Sequence, residues 1–454
     1  MAGLYELLSR AKLKPVLTAS IVSVLGLIVP IQMASENWDD HDRSGRVLAS
    51  DFGYNYLISC DPNAVLLCFG DNDTFPLWYA QEVEGVRTDV KVGNLSYLQS
   101  EWYGKHMLRH SYEAQPIPNK YMTPAFFVTN SYALVRPTSA VPMPFDQAMK
   151  TATQIVPQGQ AQMPTDKVLL PVDSTVVAKQ FPQLQGLPMP ESMVLSLEGK
   201  AAVTRDQLFV LDMLGAAEWQ RPIMWVTSAP QNIFANQRQY MSHVGMAQRF
   251  NPTTVAGTPY EIDVERLYDL VMNKYRYFNA NDPDIYFDEN IRRNISYYYR
   301  SRVFTTLAQA LLHEGDTERA KKVLTKCAEV ISPKAVPYDV TDVALADAYY
   351  NAKMTDQGDE IMRALYRDTA QLLYWVSQQS PRHQSALRSD SMVRYAFYTL
   401  MDLLRIDMSR GGKLLPEYEP MLRQALPTFG GSLEAFKAMT AQQLGEMLPD
   451  SANQ

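Results

Sequence analysis

A chain of 454 residues is long enough for about three domains and a well-buried core. Its 42 Lys and Arg against 49 Asp and Glu leave a net charge of -7, which excludes a general nucleic-acid binder, because phosphate neutralisation needs a basic face. Hydrophobic residues at 46% and charged residues at 20% exclude a disordered chain, and three cysteines (Cys60, Cys68, Cys327) are too few for a disulfide scaffold or a structural zinc site.

In chain order, the first feature is Val16 to Ala34, an uncharged run whose length as a helix, at ~1.5 Å per residue, approaches the ~30 Å hydrocarbon thickness of a bilayer. Arg10, Lys12 and Lys14 precede it; Glu36, Asp39, Asp40 and Asp42 follow. The positive-inside rule then reads 1–14 as a cytoplasmic basic segment and 15–35 as a transmembrane helix, with the rest of the chain extracytoplasmic, or periplasmic. A cleaved signal peptide and a buried soluble helix compete with this reading. Against the first, Ile31 to Ser35 offers no clean small-x-small site; for the second, Pro30 and Gln32 dilute the run.

Residues 36–260 read as an α/β domain. A helix is expected from about Ser44 to Ile58. Val65 to Phe69 is a continuous apolar run, as a strand buried on both faces requires. Thr74 can cap the following helix, with Pro76 in its first turn, and Val90 to Leu95 reads as the next strand. Together they predict a right-handed βαβ crossover in a Rossmann-like parallel sheet. From about 116 to 190 a Pro- and Gln-rich excursion carries β-like runs at Ala125–Val128, Lys167–Pro171 and Met193–Leu197. Thr204 to Gly215 is an amphipathic helix, and Arg221 to Thr227 a strand able to rejoin the sheet.

Residues 261–454 read as all-α and tetratricopeptide-like. Leu307, Ala310 and Leu311, a Gly315 turn, then Ala320, Val323, Leu324 and Ala328 match a repeat of ~34 residues. A second unit is expected over 338–374 and a third from Asp390. Such repeats usually present a surface to a protein partner.

Asp71, Asn72 and Asp73 fall at the predicted C-terminal end of a parallel strand, where ligands bind in open α/β sheets. A divalent cation bridging a sugar-linked diphosphate would suit two carboxylates there; turn and cap residues have the same composition. Asp40, His41 and Arg43 sit just beyond the apolar run and would suit a metal or a phosphate-bearing lipid head group. The competing reading makes them a helix N-terminus, with Trp38 in the interfacial belt. His106 and His110, four apart, would share a helix face without forming a zincin motif. Cys60 and Cys68 could pair in an oxidising compartment, although Cys68 lies in an apolar run. Asn294-Ile295-Ser296 fits a glycosylation acceptor pattern. No cofactor is expected.

The string Asn37-Trp38-Asp39-Asp40-His41-Asp42-Arg43-Ser44-Gly45-Arg46 resembles the bacterial DUF2723 family, related to the TMEM260-type protein O-mannosyltransferases. So do Gly70 to Tyr79, Gln81 to Val90, Asn94-Leu95-Ser96 and Arg221-Pro222-Ile223, within a likeness covering most of 16–330. The resemblance implies a relative of multi-spanning GT-C glycosyltransferases that use a lipid-linked sugar. It also implies that this chain starts at the last membrane helix, so that no residue here takes the catalytic role. A fragment or split product, and a free-standing half with one anchor, both fit.

Three functions follow. The first is the extracytoplasmic region of a glycosyltransferase-like membrane protein of protein O-glycosylation, recognising an acceptor protein or lipid-linked sugar, or docking a partner. The second is a metal-assisted enzyme acting on sugar- or lipid-phosphates through Asp71 and Asp73. The third is a structural envelope scaffold.

Overall fold

A computed structural model describes residues 2–10, 14–129, 131–156 and 160–447; Lys12 of the basic flank and the side chain of Asp40 lie outside the described residues. Helix α1 (Ala2–Arg10) precedes α2 (Pro15–His41), whose first residue is a proline, tolerated there because the first N–H groups of a helix lack partners anyway. Pro15–Trp38 is long and apolar enough to cross a membrane, a test that signal sequences also pass. Its side chains face outward, Val16 being 78% and Ile31 63% exposed. The helix runs six residues past the expected end at 35. Residues 38–41 therefore close α2 and do not open the next helix, so the acidic run meets the negative end of the helix dipole, its unfavourable end.

After a turn in which Asp42 accepts the Ser44 N–H at 2.8 Å, α3 (Leu48–Ile58) starts four residues later than the apolar spacing suggests. Strand β1 (Val65–Cys68), α4 (Asp71–Glu82) and β2 (Lys91–Asn94) form the expected parallel crossover, in register from Val65 opposite Lys91 to Cys68 opposite Asn94. Every residue of both strands is buried. Even Lys91 is, its Nζ donating to the Arg109 carbonyl at 2.8 Å and the Ser111 hydroxyl at 2.6 Å.

Helix α5 (Glu101–Met107) follows, then α6 (Pro124–Thr129), where Ala125–Val128 was expected to be a strand. A short apolar run carries no period that separates helix from strand. Here Pro124 opens a helix, and Phe126 and Phe127 pack edge to face at 6.2 Å in the core. The excursion continues through β3 (Tyr132–Val135), β4 (Met143–Pro144), α7 (Phe145–Ala152), β5 (Gln162–Met163), β6 (Lys167–Pro171), α8 (Ser174–Gln180), β7 (Ser192–Ser196) and β8 (Ala202–Thr204). These strands make two small sheets, ordered β5-β3-β8 and β4-β6-β7. Helix α9 (Arg205–Ala217) pins the region: its buried Asp212 accepts the amides of Lys120, Tyr121 and Met122, the last at 2.7 Å.

Strand β9 (Ile223–Val226) then rejoins β1 in parallel. The hairpin of β10 (Met241–Val244) and β11 (Ala247–Phe250) adds antiparallel strands, giving the order β10-β11-β9-β1-β2. The main sheet is thus mixed, and the parallel reading holds for its β9-β1-β2 part.

From α10 (Val264–Asp269) the chain is helical. Helix α11 (Glu289–Asn294) widens into a π-helical stretch, Ile295–Thr305, and passes into α12 (Thr306–His313). The Gly315 turn leads to α13 (Thr317–Val330), with Leu307, Ala308 and Leu311 buried together with Ala320, Val323, Leu324 and Cys327. Then come α14 (Val343–Asn351), α15 (Thr355–Ser377), α16 (Pro381–Leu387), α17 (Ser391–Ser409), α18 (Leu415–Ala425) and α19 (Leu433–Met447). Helix pairs occur at the three places expected. Their lengths differ widely, at 8 and 14, 9 and 23, and 19 and 11 residues.

Candidate functional site at the edge of the parallel strands

The chain leaves β1 for β2 on one side and reaches β9 on the other, so the C-terminal ends of β1 and β9 flank a topological switch point, the usual ligand crevice of such sheets. Gly70, with φ of 77°, makes the left-handed step from β1 into α4 that a side chain would oppose. Asp71, Asn72 and Asp73 thus form the first turn of α4, where the helix dipole favours negative charge. Thr74, expected as the cap, lies inside the helix and returns its hydroxyl to the Gly70 carbonyl at 2.7 Å; Pro76 sits beyond the first turn.

Residues two apart on a helix do not share a face. Asp71 turns outward and accepts the Tyr97 hydroxyl at 2.6 Å, with Asn72 exposed beside it. Asp73 turns inward, accepting the Ser228 hydroxyl at 2.6 Å and the Tyr56 hydroxyl at 3.4 Å. Burial pushes the Asp73 carboxyl up, against the hydrogen bonds from Ser228, the Phe69 amide and Tyr56. Burial and then the Asp73 charge push the Tyr56 phenol well above its ordinary range. Asn94, ending β2, donates to the Thr74 hydroxyl at 2.7 Å and accepts the Tyr97 amide at 3.1 Å. The edge is therefore a hydroxyl network that ties three strands to α4. Among the described residues no group of three or more His, Cys, Asp and Glu could hold a metal ion.

The other candidates lie apart from this edge. His41, the last residue of α2, and Arg43, in the connection to α3, are exposed; the Gly45 carbonyl of that connection accepts from Asn279 at 3.2 Å. Helix α5 ends at Met107, so His110 lies outside it and the expected shared face with His106 does not form. Cys60 and Cys68 are unpaired and buried, and burial pushes their thiols up to about 12. Ser296 of the acceptor pattern is fully buried and donates to Asp342 at 2.9 Å.

Sequence reasoning did not single out Tyr56, Asn94 and Ser228 as site residues; packing of α3 on α4 brings Tyr56 to Asp73, and strand order brings Ser228 to Asp73 and Asn94 to Thr74. It also missed two concavities. A polar cleft of about 480 Å³ beside the end of β9 is lined by Thr227, Arg238, His243, Gln248, Tyr297 and Arg302. A groove of about 580 Å³ in the helical part is lined by Tyr338, Leu365, Leu372, Met392 and Tyr395. The hairpin glycine at 245 was the one available signal for the strands that build the first.

Comparison with curated proteins and with solved structures gave no match. A family model, TMEM260-associated domain 2, matches residues 49–267, from α3 through the mixed sheet to α10. That match takes in Asp71–Asp73, their hydroxyl partners and the sheet wall of the polar cleft, and it links the chain to the TMEM260 family.

Proposed function

We propose that this chain is the extracytoplasmic region of a TMEM260-type, glycosyltransferase-like membrane protein, anchored by α2, and that its tetratricopeptide-like helices dock a polypeptide, either acceptor or partner. The groove between the start of the π-helical stretch, α15 and α17 carries the reading. Its walls are apolar and aromatic, Met392 and Tyr395 remain 51% and 57% exposed, and Arg293, Asp339 and Asp368 line it as well. An apolar floor with polar groups around it suits an extended peptide, which offers side chains and backbone together. A divalent cation shared by Asp71 and Asp73 has less support, since their carboxylates diverge.

The test is fluorescence polarisation of unstructured Ser/Thr-containing peptides with the full chain in detergent. Binding that weakens at least about tenfold in Tyr395→Asp and Leu372→Asp is expected. Absence of binding, or binding indifferent to both changes, would remove the reading. Reporter fusions after residue 60 and at the C-terminus should both report export; cytoplasmic activity from either would overturn the topology.

A further inference from the structure

We propose that the polar cleft beside β9 binds a small polyhydroxylated anion, such as a hexose phosphate or a hexuronate. His243 and Gln248 are directly opposed in the β10–β11 register, so both side chains project from the same face of the sheet. The segment carrying Tyr297, Arg302 and Thr306 forms the facing wall of the cleft. His243 is only 8% exposed and its Nε2 has no hydrogen-bond partner among the described residues. A backbone hydrogen bond with Arg302 favours the protonated ring, as a carbonyl acceptor does, and because Nε2 has no partner we assign that bond to Nδ1–H. In the neutral ring Nε2 is then a bare acceptor. Burial pushes this imidazole down to about 4, so it is neutral near pH 7. Gln248 adds a second buried acceptor, Oε1, also without a partner.

Two unsatisfied buried acceptors at one wall call for donors. An oxyanion alone brings only lone pairs, which both would repel; hydroxyl groups satisfy them. Toward the solvent side the character reverses, with the exposed guanidinium groups of Arg238 and Arg302. Arg302 is oriented by the Tyr297 hydroxyl, which accepts from it at 2.9 and 3.2 Å. The one carboxylate lining the cleft, Glu261, accepts the Gly257 amide at 2.8 Å. Acceptors deep inside and cations at the rim complement a molecule with hydroxyls at one end and an anionic oxygen at the other. A volume of about 480 Å³ admits a sugar-sized ligand.

Isothermal titration of the full chain in detergent would use four probes: glucose 6-phosphate, glucuronate, glucose and inorganic phosphate. At least one sugar anion should bind, with glucose and phosphate weaker by about tenfold or more, the loss expected for removing a charged contact or a hydroxyl set. Preference between the phosphate and carboxylate probes identifies the anionic group. Arg238→Gln, at an exposed position, and the near-isosteric Gln248→Met should each weaken that binding about tenfold while thermal melts stay as in wild type. The proposal is overturned if neither sugar anion binds at about 10 mM. Phosphate binding as tightly as glucose 6-phosphate, or folded variants of both kinds binding as wild type does, would overturn it equally.

Discussion

In the α/β part, Asp61 accepts Arg249 at 2.6 and 2.8 Å and also Arg266; in the helical part, Asp342 faces the single guanidinium of Arg300 at 3.2 Å. Both carboxylates are buried, and burial raises both. At Asp61 the hydrogen bonds and charges of Arg249 and then Arg266 outweigh burial and hold the carboxyl down at about 2. At Asp342 burial outweighs Arg300 and pushes the carboxyl up to about 6. Arg300 divides itself, donating also to the Val336 carbonyl at 2.5 Å and the Pro337 carbonyl at 3.3 Å. The same residue type thus anchors charge in one region and tolerates its loss in the other. The second guanidinium at Asp61, against the deeper burial and the neighbouring Asp339 charge at Asp342, sets the two apart.

The largest effect that would sharpen this contrast is expected for Asp61→Ala. It leaves Arg266 without its anion and buried Arg249 with only Asp263 at 3.5 Å, and should cost about 3–5 kcal/mol in urea melts. A loss under about 1 kcal/mol would break the comparison. Asp73→Ala removes the acceptor of one buried and one half-buried hydroxyl and should cost about 1–3 kcal/mol, with Asp73→Asn largely restoring stability. Asp342→Asn should cost only about 1–2 kcal/mol at pH 7, because a carboxyl with pKa about 6 lies near neutrality and one unit is about 1.4 kcal/mol.

The pH dependence carries opposite signs. The raised Asp342 binds a proton in the folded state before the unfolded one does, so its contribution to stability rises as pH falls from 7 towards 4. The depressed Asp61 contributes stability above its unfolded pKa that is lost as pH falls from about 4 through about 2. Melts from pH 7 to 5 should therefore gain less stability in Asp342→Asn than in wild type; equal gains would remove this assignment. Smallest of all, Asp71→Ala should leave the melting temperature nearly unchanged, because its hydrogen bond with Tyr97 is exposed. A large drop there would mean that the outward carboxylate matters to the fold after all.

Much of this was legible because burial leaves marks in composition. The apolar run at 65–69 was read as a strand because turn residues bound it closely, and β1 takes its first four residues while Phe69 is exposed; Gly315 between two helical periods was read as the turn it is. The edge residues Asp71 and Asp73 were found for the right strand end, yet their divergence depended on where α4 begins, and Gly70 moved that start ahead of Thr74. Ser228 and Tyr56 lie 155 and 17 residues from Asp73, distances no motif spans. His243 was hidden for a different reason. An isolated histidine acquires meaning only when register sets Gln248 opposite it and a distant helix supplies Arg302.

The three cysteines are distributed across the same divide. Cys60 and Cys68 belong to the α/β part and Cys327 to α13, all buried, with thiols pushed up to about 12 by burial. A thiol so placed reacts with a labelling reagent only when its surroundings open. The chain therefore carries a built-in clock for each region, read by the order in which its thiols are modified under mild denaturant. Proteolytic mapping of the labelled sites would give the opening rate of the sheet and of the helices from one sample, with no engineered probe.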